Sequence, residues 1–238
     1  MRANQRISLV IPCLNEERGL RVLLPEVPPW VDEVIVVDNN STDQTADVGR
    51  AHGATVVSEK IQGYGAAHQA GLRRSSGDIV AALDGDGQYP VPLLAKIVDP
   101  IATGHVDFVV GSRVPFPPGS IPLTRRIGNI LLNVTGALLF GTVVKDNQSG
   151  MWAMRRRVFK QLDFQRTDMA FSEEIKYKTI RAGFRFREVH IGYRSRCGGA
   201  SKLLPLTDGI RNLLYLIHLR FGTTARKTAR TVRMPERP

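Results

Sequence analysis

Two aspartates stand two residues apart in the segment Asp84-Gly85-Asp86-Gly87-Gln88, directly after the apolar run 79–83. From such a loop both carboxylates can reach one divalent cation, and the Gln88 side chain offers a third oxygen. Mg²⁺ and Mn²⁺ prefer oxygen ligands and often share them with substrate phosphates. A metal held here would neutralise a diphosphate leaving group and assist its departure. Asp-Gly is also a common turn pair, so the segment by itself is equally compatible with a simple turn.

A second polar cluster, 38–43, follows the β-branched run 34–37. A carboxylate or amide at Asp38 or Asn39 could hydrogen-bond the base or the ribose of a nucleotide. The same cluster is rich in residues that cap helices and form turns, and these can have a purely structural role.

Basic side chains that could bind phosphate lie further along the chain: Arg113, Arg125, Arg126, Arg194, Arg196 and Lys202. Guanidinium groups bind phosphate bidentately, although a solvated surface charge is the ordinary role of any single arginine. Arg113 follows a predicted strand and Arg196 lies in a glycine-containing loop, so these two are the stronger candidates.

Strand and helix patterns alternate through the first hundred residues, which favours an α/β fold with a parallel sheet. Strands are predicted at 7–11, 34–37, 55–57 and 79–83, with helices between them. Ligands of such sheets bind at the carboxyl ends of the strands. Three polar clusters fall at those ends: 12–16, 38–43 and 84–88. We therefore expect them to share one rim of the sheet.

The remainder of the chain is less regular. Strands are predicted at 107–110 and 186–193, and helices at 171–182 and 208–221. The apolar stretch 127–144 has eighteen residues and is interrupted by asparagine, threonine and glycine. A membrane-spanning helix needs roughly 20 mostly apolar residues. An interfacial segment, a re-entrant segment or a buried helix therefore fits this stretch better.

The charge balance points to an anionic partner. Lysine and arginine number 33 against 22 acidic residues, a formal net charge of +11. Nucleic acid, an anionic membrane surface and phosphorylated substrates all fit, as does a merely basic surface. The two cysteines and five histidines show no metal-ligand spacing. The N-terminus carries no signal-peptide pattern.

Three segments together resemble a known family: Val10-Ile11-Pro12-Cys13-Leu14-Asn15-Glu16-Glu17, Val36-Val37-Asp38-Asn39-Asn40-Ser41-Thr42-Asp43 and Asp84-Gly85-Asp86-Gly87-Gln88-Tyr89-Pro90. They are similar to the inverting family 2 glycosyltransferases with the GT-A fold. Within that family the chain most resembles the dolichol-phosphate mannose synthase group of polyprenyl-phosphate glycosyltransferases. The resemblance covers about residues 6–204. It implies a Rossmann-like, mostly parallel sheet flanked by helices.

The resemblance also implies roles by position. The donor-binding residues would be Pro12, Leu14, Glu16, Val37, Asp38, Asn39, Asp84, Gly85, Arg196 and Lys202. The ligands of Mg²⁺ or Mn²⁺ would be Asp84, Asp86 and Gln88. The catalytic residues would be Asp86, Arg113, which contacts phosphate, and Arg126, which lies near the lipid phosphate. Arg196 and Lys202 would belong to a loop that closes over the donor.

The implied reaction moves a sugar, with inversion, from GDP-mannose or a UDP-sugar to a polyprenyl or dolichyl phosphate. The acceptor oxygen is already anionic, so positioning and charge stabilisation would carry most of the rate. Two positions depart from the family pattern. The second aspartate of the nucleotide segment is Asn39, and the segment Ser149-Gly150-Met151-Trp152 lacks the usual arginine. Both departures weigh against GDP-mannose as the donor.

The resemblance makes the apolar segments membrane-contacting elements. We predict a catalytic domain at 1–204, an interfacial amphipathic helix at 205–222 and a basic, mobile tail at 223–238. The chain lacks the C-terminal spanning helices of some relatives. We therefore expect it to lie peripherally on the cytoplasmic face of a membrane, or to dock to a separate membrane subunit.

Two alternatives stay open. The same fold and donor class could serve a soluble phosphate or another lipid as acceptor. The chain could instead be a non-enzymatic, basic module that binds nucleotides or nucleic acid. Aromatic side chains are not interleaved with the basic residues as nucleic-acid stacking would require, so we expect no nucleic-acid partner.

Overall fold

A computed structural model describes residues 2–117, 121–197 and 205–222 of the chain, without the side chains of 205 and 206. The strands are β1 Ile7–Cys13, β2 Glu33–Asp38, β3 Thr55–Ser58, β4 Ile79–Ala82, β5 Phe108–Ser112, β6 Trp152–Arg155 and β7 Phe186–His190. The helices are α1 Glu17–Leu23, α2 Thr45–Ala51, α3 Tyr64–Arg74, α4 Leu94–Ala102, α5 Leu123–Phe140, α6 Arg156–Gln161, α7 Phe171–Arg181 and α8 Pro205–Phe221. The predicted division at 204 and 222 stays a prediction, and the tail 223–238 lies outside the described residues.

The seven strands form one sheet in the order β3-β2-β1-β4-β6-β5-β7. Four neighbouring pairs are parallel, and β6 runs antiparallel to both β4 and β5. The predicted α/β, mostly parallel sheet is confirmed. We did not predict β6, because four residues are too few to show a period and the strand is flanked directly by α6.

The central strands are buried on both faces, which explains why they read as continuous apolar runs. Leu9 and Ile11 belong to a core cluster with residues of α1 and α4. Val10, between them, faces the other way and joins a cluster with residues of α3 and α7. This alternation fixes the register of β1. Its parallel pairing with β2 and β4 brings the carboxyl ends of the three strands to one rim.

The sequence pattern predicts helices that begin near Asn15 and at Thr42, and both starts are shifted in the structure. Helix α1 begins at Glu17 rather than near Asn15, whose backbone has a φ of 54°. The Asn15 Oδ1 accepts the Thr42 N–H at 2.7 Å, so this side chain joins two loops instead of capping a helix. Helix α2 begins at Thr45, because the Asp43 carboxylate accepts the Thr45 N–H at 3.0 Å and holds the preceding residues in a turn.

The apolar stretch 127–144 is mostly part of α5, which packs against α8. Of the α5 residues only Asn129, Leu132 and Gly136 are buried, so the buried-helix alternative is wrong. A side chain at Gly136 would collide with the Tyr177 hydroxyl, which shows how closely α5 lies on α7. No helix within the described residues is long and apolar enough to cross a bilayer.

Candidate active site

A cavity of about 700 Å³ opens at the carboxyl ends of β1, β2 and β4. Most of the predicted donor and metal residues line it: Pro12, Leu14, Glu16, Asn39, Asp84, Gly85, Asp86, Gln88, Arg113 and Arg196. The three polar clusters therefore meet as the parallel strands predict. Lys202 lies outside the described residues.

The Asp84 carboxylate lines the cavity with one oxygen that no described residue hydrogen-bonds. This oxygen, Oδ1, is buried, and the carboxylate lies so close to Gly150 that a side chain on that glycine would overlap it. Burial, and secondly the negative charge of Asp86, raises the pKa of Asp84 to about 7. A cation at this carboxylate would restore the charged form, since metal ligation requires the deprotonated group.

Asp86 is held by a network around its loop. Its Oδ1 accepts the Gln88 N–H at 3.0 Å, and its Oδ2 lies 3.2 Å from the Arg196 Nη1. The Nη2 of the same arginine donates to Glu16. Arg196 thus bridges two carboxylates of the rim.

Hydrogen bonds to main-chain carbonyls join the segment around Arg196 to the aspartate loop. The Gln88 Nε2 donates to the Arg194 carbonyl at 3.2 Å, and the Arg194 N–H donates to the Gln88 carbonyl at 2.8 Å. The Cys197 N–H donates to the Asp86 carbonyl at 3.3 Å. A movement of this segment would therefore displace the loop that carries the two aspartates.

The aspartate loop also packs closely between β1 and α1. A side chain on Gly19 would collide with the Gly85 carbonyl, and one on Gly85 would lie 2.5 Å from the Cys13 sulfur. Glycine at both positions lets the loop approach the helix closely. This packing restricts where the two aspartates can lie.

The carboxylates of Asp84 and Asp86 and the amide oxygen of Gln88 suit a divalent cation that binds together with a substrate diphosphate. No group of three or more His, Cys, Asp and Glu side chains is placed to hold a metal within the described residues. Mg²⁺-like ions usually keep waters and substrate phosphates among their ligands. The unpartnered Asp84 oxygen fits such an ion, and a diphosphate would complete its shell.

Arg113 is buried in an ion pair that we did not predict. Its Nε and Nη2 both lie 2.8 Å from Asp146 oxygens, and its main-chain N–H donates to the same carboxylate at 2.9 Å. Arg113 lines the cavity, but two of its side-chain nitrogens are directed at Asp146 rather than outward. Asp146 lies 33 residues further along, in a segment without a periodic pattern.

Three other predicted site residues do not line the cavity. The Val37 side chain is buried against α3, and the Asp38 Oδ1 accepts the Ser41 N–H at 3.0 Å. The Arg126 guanidinium donates to the carbonyls of Ile121 and Pro117 at 3.1 and 3.0 Å. The neighbouring Arg125 lines the cavity instead.

Asn39 lines the cavity, yet its side chain is occupied with the loop 59–63. Its Nδ2 donates to the carbonyls of Glu59 and Ile61 at 2.9 and 2.8 Å. Its Oδ1 accepts the Gly63 N–H at 2.7 Å. The amide therefore has no hydrogen left to donate to a base, and it shapes the site by holding this loop.

We predict that Asn39→Asp destabilises the protein. A carboxylate cannot donate to the two loop carbonyls, and it faces them with a negative charge. The expected loss is about 2–3 kcal/mol, or a fall in Tm of roughly 5–10 °C for a chain of this size. Asn40→Asp, an exposed neighbour, is the matched control for thermal melting. Equal melting of the two variants would contradict the assigned role of Asn39.

The chain is similar to known proteins at the levels of family and fold. A family model described as glycosyl transferase family 2 matches residues 8–163. An uncharacterized glycosyltransferase of Mycobacterium tuberculosis is 34% identical over 201 residues, which cover 84% of this chain and 91% of that protein. The dolichyl-phosphate hexose transferase of Haloferax volcanii is 32% identical over 206 residues, covering 85% of this chain and 89% of that protein.

A solved structure shares the fold. The glucosyl-3-phosphoglycerate synthase of M. tuberculosis, in complex with Mn²⁺, UDP and glucosyl-3-phosphoglycerate, matches with a TM-score of 0.74 and 27% identity. The match covers 94% of this chain and 82% of that chain. The predicted GT-A fold is confirmed.

Proposed function

This chain belongs to glycosyltransferase family 2, and from that premise we propose that it transfers a sugar, with inversion, from a nucleotide sugar to a phosphate-bearing acceptor. We favour a polyprenyl phosphate as the acceptor and a UDP-sugar as the donor. The observation that carries the proposal is the pair Asp84 and Asp86 on the rim, with a buried Asp84 oxygen that has no hydrogen-bond partner in the part of the chain that the structure describes.

In the proposed reaction Asp84, Asp86 and Gln88 would hold Mg²⁺ or Mn²⁺, whose charge offsets that of the leaving diphosphate. The bond between the sugar C1 and the diphosphate oxygen breaks, and a bond from C1 to an acceptor phosphate oxygen forms on the opposite face. Because that oxygen is anionic, no proton has to be removed.

Arg196 is suited to act at the donor end. Its guanidinium already lies between Glu16 and Asp86, where a metal-bound diphosphate would arrive. Guanidinium groups bind phosphate oxygens in a fixed, forked geometry. We propose that Arg196 exchanges one carboxylate partner for a phosphate of the donor.

A thermal-shift panel tests the donor side. UDP, UDP-glucose, UDP-N-acetylglucosamine, GDP and GDP-mannose are each added with Mn²⁺, since a ligand that binds only the folded state raises Tm. We expect the UDP compounds to raise Tm more than the GDP compounds, and the shift to vanish with EDTA. An equal shift without metal would contradict the proposed metal site.

Two helices support a membrane-bound acceptor. Apolar side chains are exposed on the outer faces of both: Leu123, Ile127, Ile130, Leu131, Val134 and Leu138 on α5, and Ile210, Leu214, Ile217 and Phe221 on α8. Contiguous exposed apolar surface of this kind marks interaction sites. We propose that this outer face lies in the interfacial region of the cytoplasmic leaflet, or against a membrane subunit.

We predict that the protein floats with vesicles that contain anionic lipid. Leu138→Asp combined with Leu214→Asp is expected to reduce the bound fraction at least about tenfold, because each buried leucine contributes roughly 1.5–3 kcal/mol. Val22→Asp, at an exposed apolar position of α1, is the matched control. Flotation that the double variant retains, or that the control loses equally, would contradict this membrane contact.

A soluble phosphate ester is the second candidate acceptor. The structure of similar fold contains glucosyl-3-phosphoglycerate, a product with a soluble phosphate-bearing acceptor. Transfer to 3-phosphoglycerate without lipid or detergent would favour this candidate, and transfer that requires polyprenyl phosphate would favour the first.

A further inference from the structure

The cavity extends beyond the aspartate loop into a gap between α5 and α8. Arg125 and Asn129 line this gap from α5, and Arg211 and Asn212 line it from α8. Helix α8 follows the residues matched by the family model, which end at 163. None of its side chains was among the predicted site residues.

Both asparagines are buried with polar atoms left over. Asn212 is 2% exposed, and its Oδ1 has no hydrogen-bond partner among the described residues. Asn129 is 4% exposed; its Nδ2 donates to Asp146 at 3.0 Å, while no described residue bonds to its Oδ1. Buried polar atoms are rarely left unpaired, because each such atom loses its hydration. One such atom on each of the two helices that line this part of the cavity indicates a place that a polar ligand completes.

The two asparagines differ in what they can offer. The amide of Asn129 is oriented by Asp146, so its Oδ1 is a fixed acceptor that suits a hydroxyl group. Within the described part of the chain the Asn212 Oδ1 has no partner, and the NH₂ group of the same amide supplies two donors. Asn212 can therefore donate to a phosphate oxygen.

The two arginines of the gap lack partners among the described residues, in contrast to Arg113, Arg126 and Arg196. Arg125 and Arg211 carry positive charge on opposite walls. Asp208, one turn before Arg211, also lines this part of the cavity but has a partner of its own. The gap thus combines two available guanidinium groups with an amide donor, which is the chemistry that binds a phosphate ester.

The orientation of α8 is fixed by contacts further along the helix. The Tyr215 hydroxyl donates to the buried Glu174 at 3.0 Å, and Arg181 donates to the Leu219 carbonyl. These contacts turn the apolar residues Leu214 and Ile217 outward. The same rotation brings Arg211 and Asn212 to the gap, one turn before Tyr215.

We infer that α8 supplies half of a phosphate-ester subsite, in which Arg211 and Asn212, facing Arg125 of α5, bind the phosphate of the acceptor. This inference rests on the proposed function, because it gives the acceptor a place next to the donor end. The outer face of α8 then contacts the membrane, while the exposed Arg211 and the buried Asn212 bind the acceptor phosphate. A phosphate carried by a prenyl chain and one carried by a soluble acid would use the same groups.

Calorimetry with two phosphate esters tests this subsite. Geranyl phosphate and 3-phosphoglycerate are titrated into the full chain in the presence of Mn²⁺ and UDP. We expect Arg211→Gln to raise the Kd of the ester that binds by about tenfold or more, as expected for loss of a charge-assisted hydrogen bond. Arg211→Lys should restore part of the affinity, and Asn212→Leu should weaken binding in the same direction.

Arg220→Gln, at the far end of α8, is the matched control for charge and helix position. Binding of geranyl phosphate alone would assign the subsite to a lipid acceptor, and binding of 3-phosphoglycerate to a soluble one. An unchanged Kd in Arg211→Gln, an equal loss in Arg220→Gln, or no binding of either ester by the wild type would overturn the inference. The absence of sugar transfer by a wild type that binds the ester would instead contradict the proposed function.

Discussion

Asp86→Ala is expected to lower the rate of sugar transfer at least about 100-fold while the protein stays folded. The substitution removes one of two carboxylates that would hold the divalent cation, and it leaves the pair of Arg196 with Glu16 in place. Loss of the cation removes the charge that offsets the departing diphosphate. Several kcal/mol of transition-state stabilisation would be lost, and each 1.36 kcal/mol corresponds to about tenfold in rate.

The measurement is the initial rate of radiolabelled sugar transfer at saturating Mn²⁺, with circular dichroism as a check of folding. Asp47→Ala is the matched control, because Asp47 is an exposed aspartate whose only described ion pair is with Arg50 on the surface. Asp84→Asn should behave like Asp86→Ala. A folded Asp86→Ala protein with a rate within a factor of about two of the control would remove the aspartate from the mechanism.

The second large effect concerns stability. Arg113→Met is expected to lower the free energy of unfolding by about 3–5 kcal/mol at neutral pH, because it leaves Asp146 buried without its cation. Asp146 is fully buried, and two nitrogens of the Arg113 side chain bond to it. Burial alone would raise the pKa of Asp146, but the Arg113 charge and hydrogen bonds hold that pKa below its ordinary value.

The sign of the pH dependence follows from that shift. In the wild type, the depressed pKa of Asp146 contributes stability that is present above the unfolded pKa and lost as the pH falls through the folded pKa. In Arg113→Met the uncompensated carboxylate becomes harder to ionise, so the difference between the two proteins should shrink as the pH falls towards 4. Urea unfolding at several pH values measures this difference.

Arg194→Met is the control for the Arg113 experiment. Arg194 pairs with Glu26 at 3.3 Å on the surface, with about half of its side chain exposed. Exposed pairs contribute roughly 0–1 kcal/mol, so this variant should unfold almost like the wild type. An Arg113→Met protein no less stable than Arg194→Met would show that the buried pair does not support the rim.

The rim of the sheet was predictable because its strands are short, parallel and buried on both faces. Each gives a continuous apolar run, and the polar residue that ends the run marks the carboxyl end of the strand. Glu16, Asn39 and Asp84 were therefore predicted to lie at one rim, and they line one cavity there. The hydrogen bonds between the Asn39 amide and the loop 59–63 could not be predicted, because hydrogen bonds between distant loops leave no periodic signal.

The second half of the site was harder to predict for a geometric reason. Adjacent residues on a helix point about 100° apart, so Arg125 and Arg126 cannot both face the cavity. The apolar stripe of α5 is visible in the sequence, but in most proteins such a stripe faces the core. Here it faces outward, and the polar side, with Arg125 and Asn129, faces the cavity. Helix α8 carries apolar residues on both its buried and its exposed faces, so its pattern does not mark the buried Asn212 as a site residue.

The most direct test of the account is sugar transfer by the purified protein. Radiolabelled UDP-glucose, UDP-N-acetylglucosamine and GDP-mannose are each incubated with Mn²⁺ and a long-chain polyprenyl phosphate in detergent, and the lipid product is isolated and its anomeric configuration determined. We predict a labelled polyprenyl-phosphate sugar of inverted configuration, formed by wild type and lost on addition of EDTA and in Asp86→Ala. Folded wild-type protein that transfers no label from any of these donors, to this acceptor or to 3-phosphoglycerate, would contradict the account.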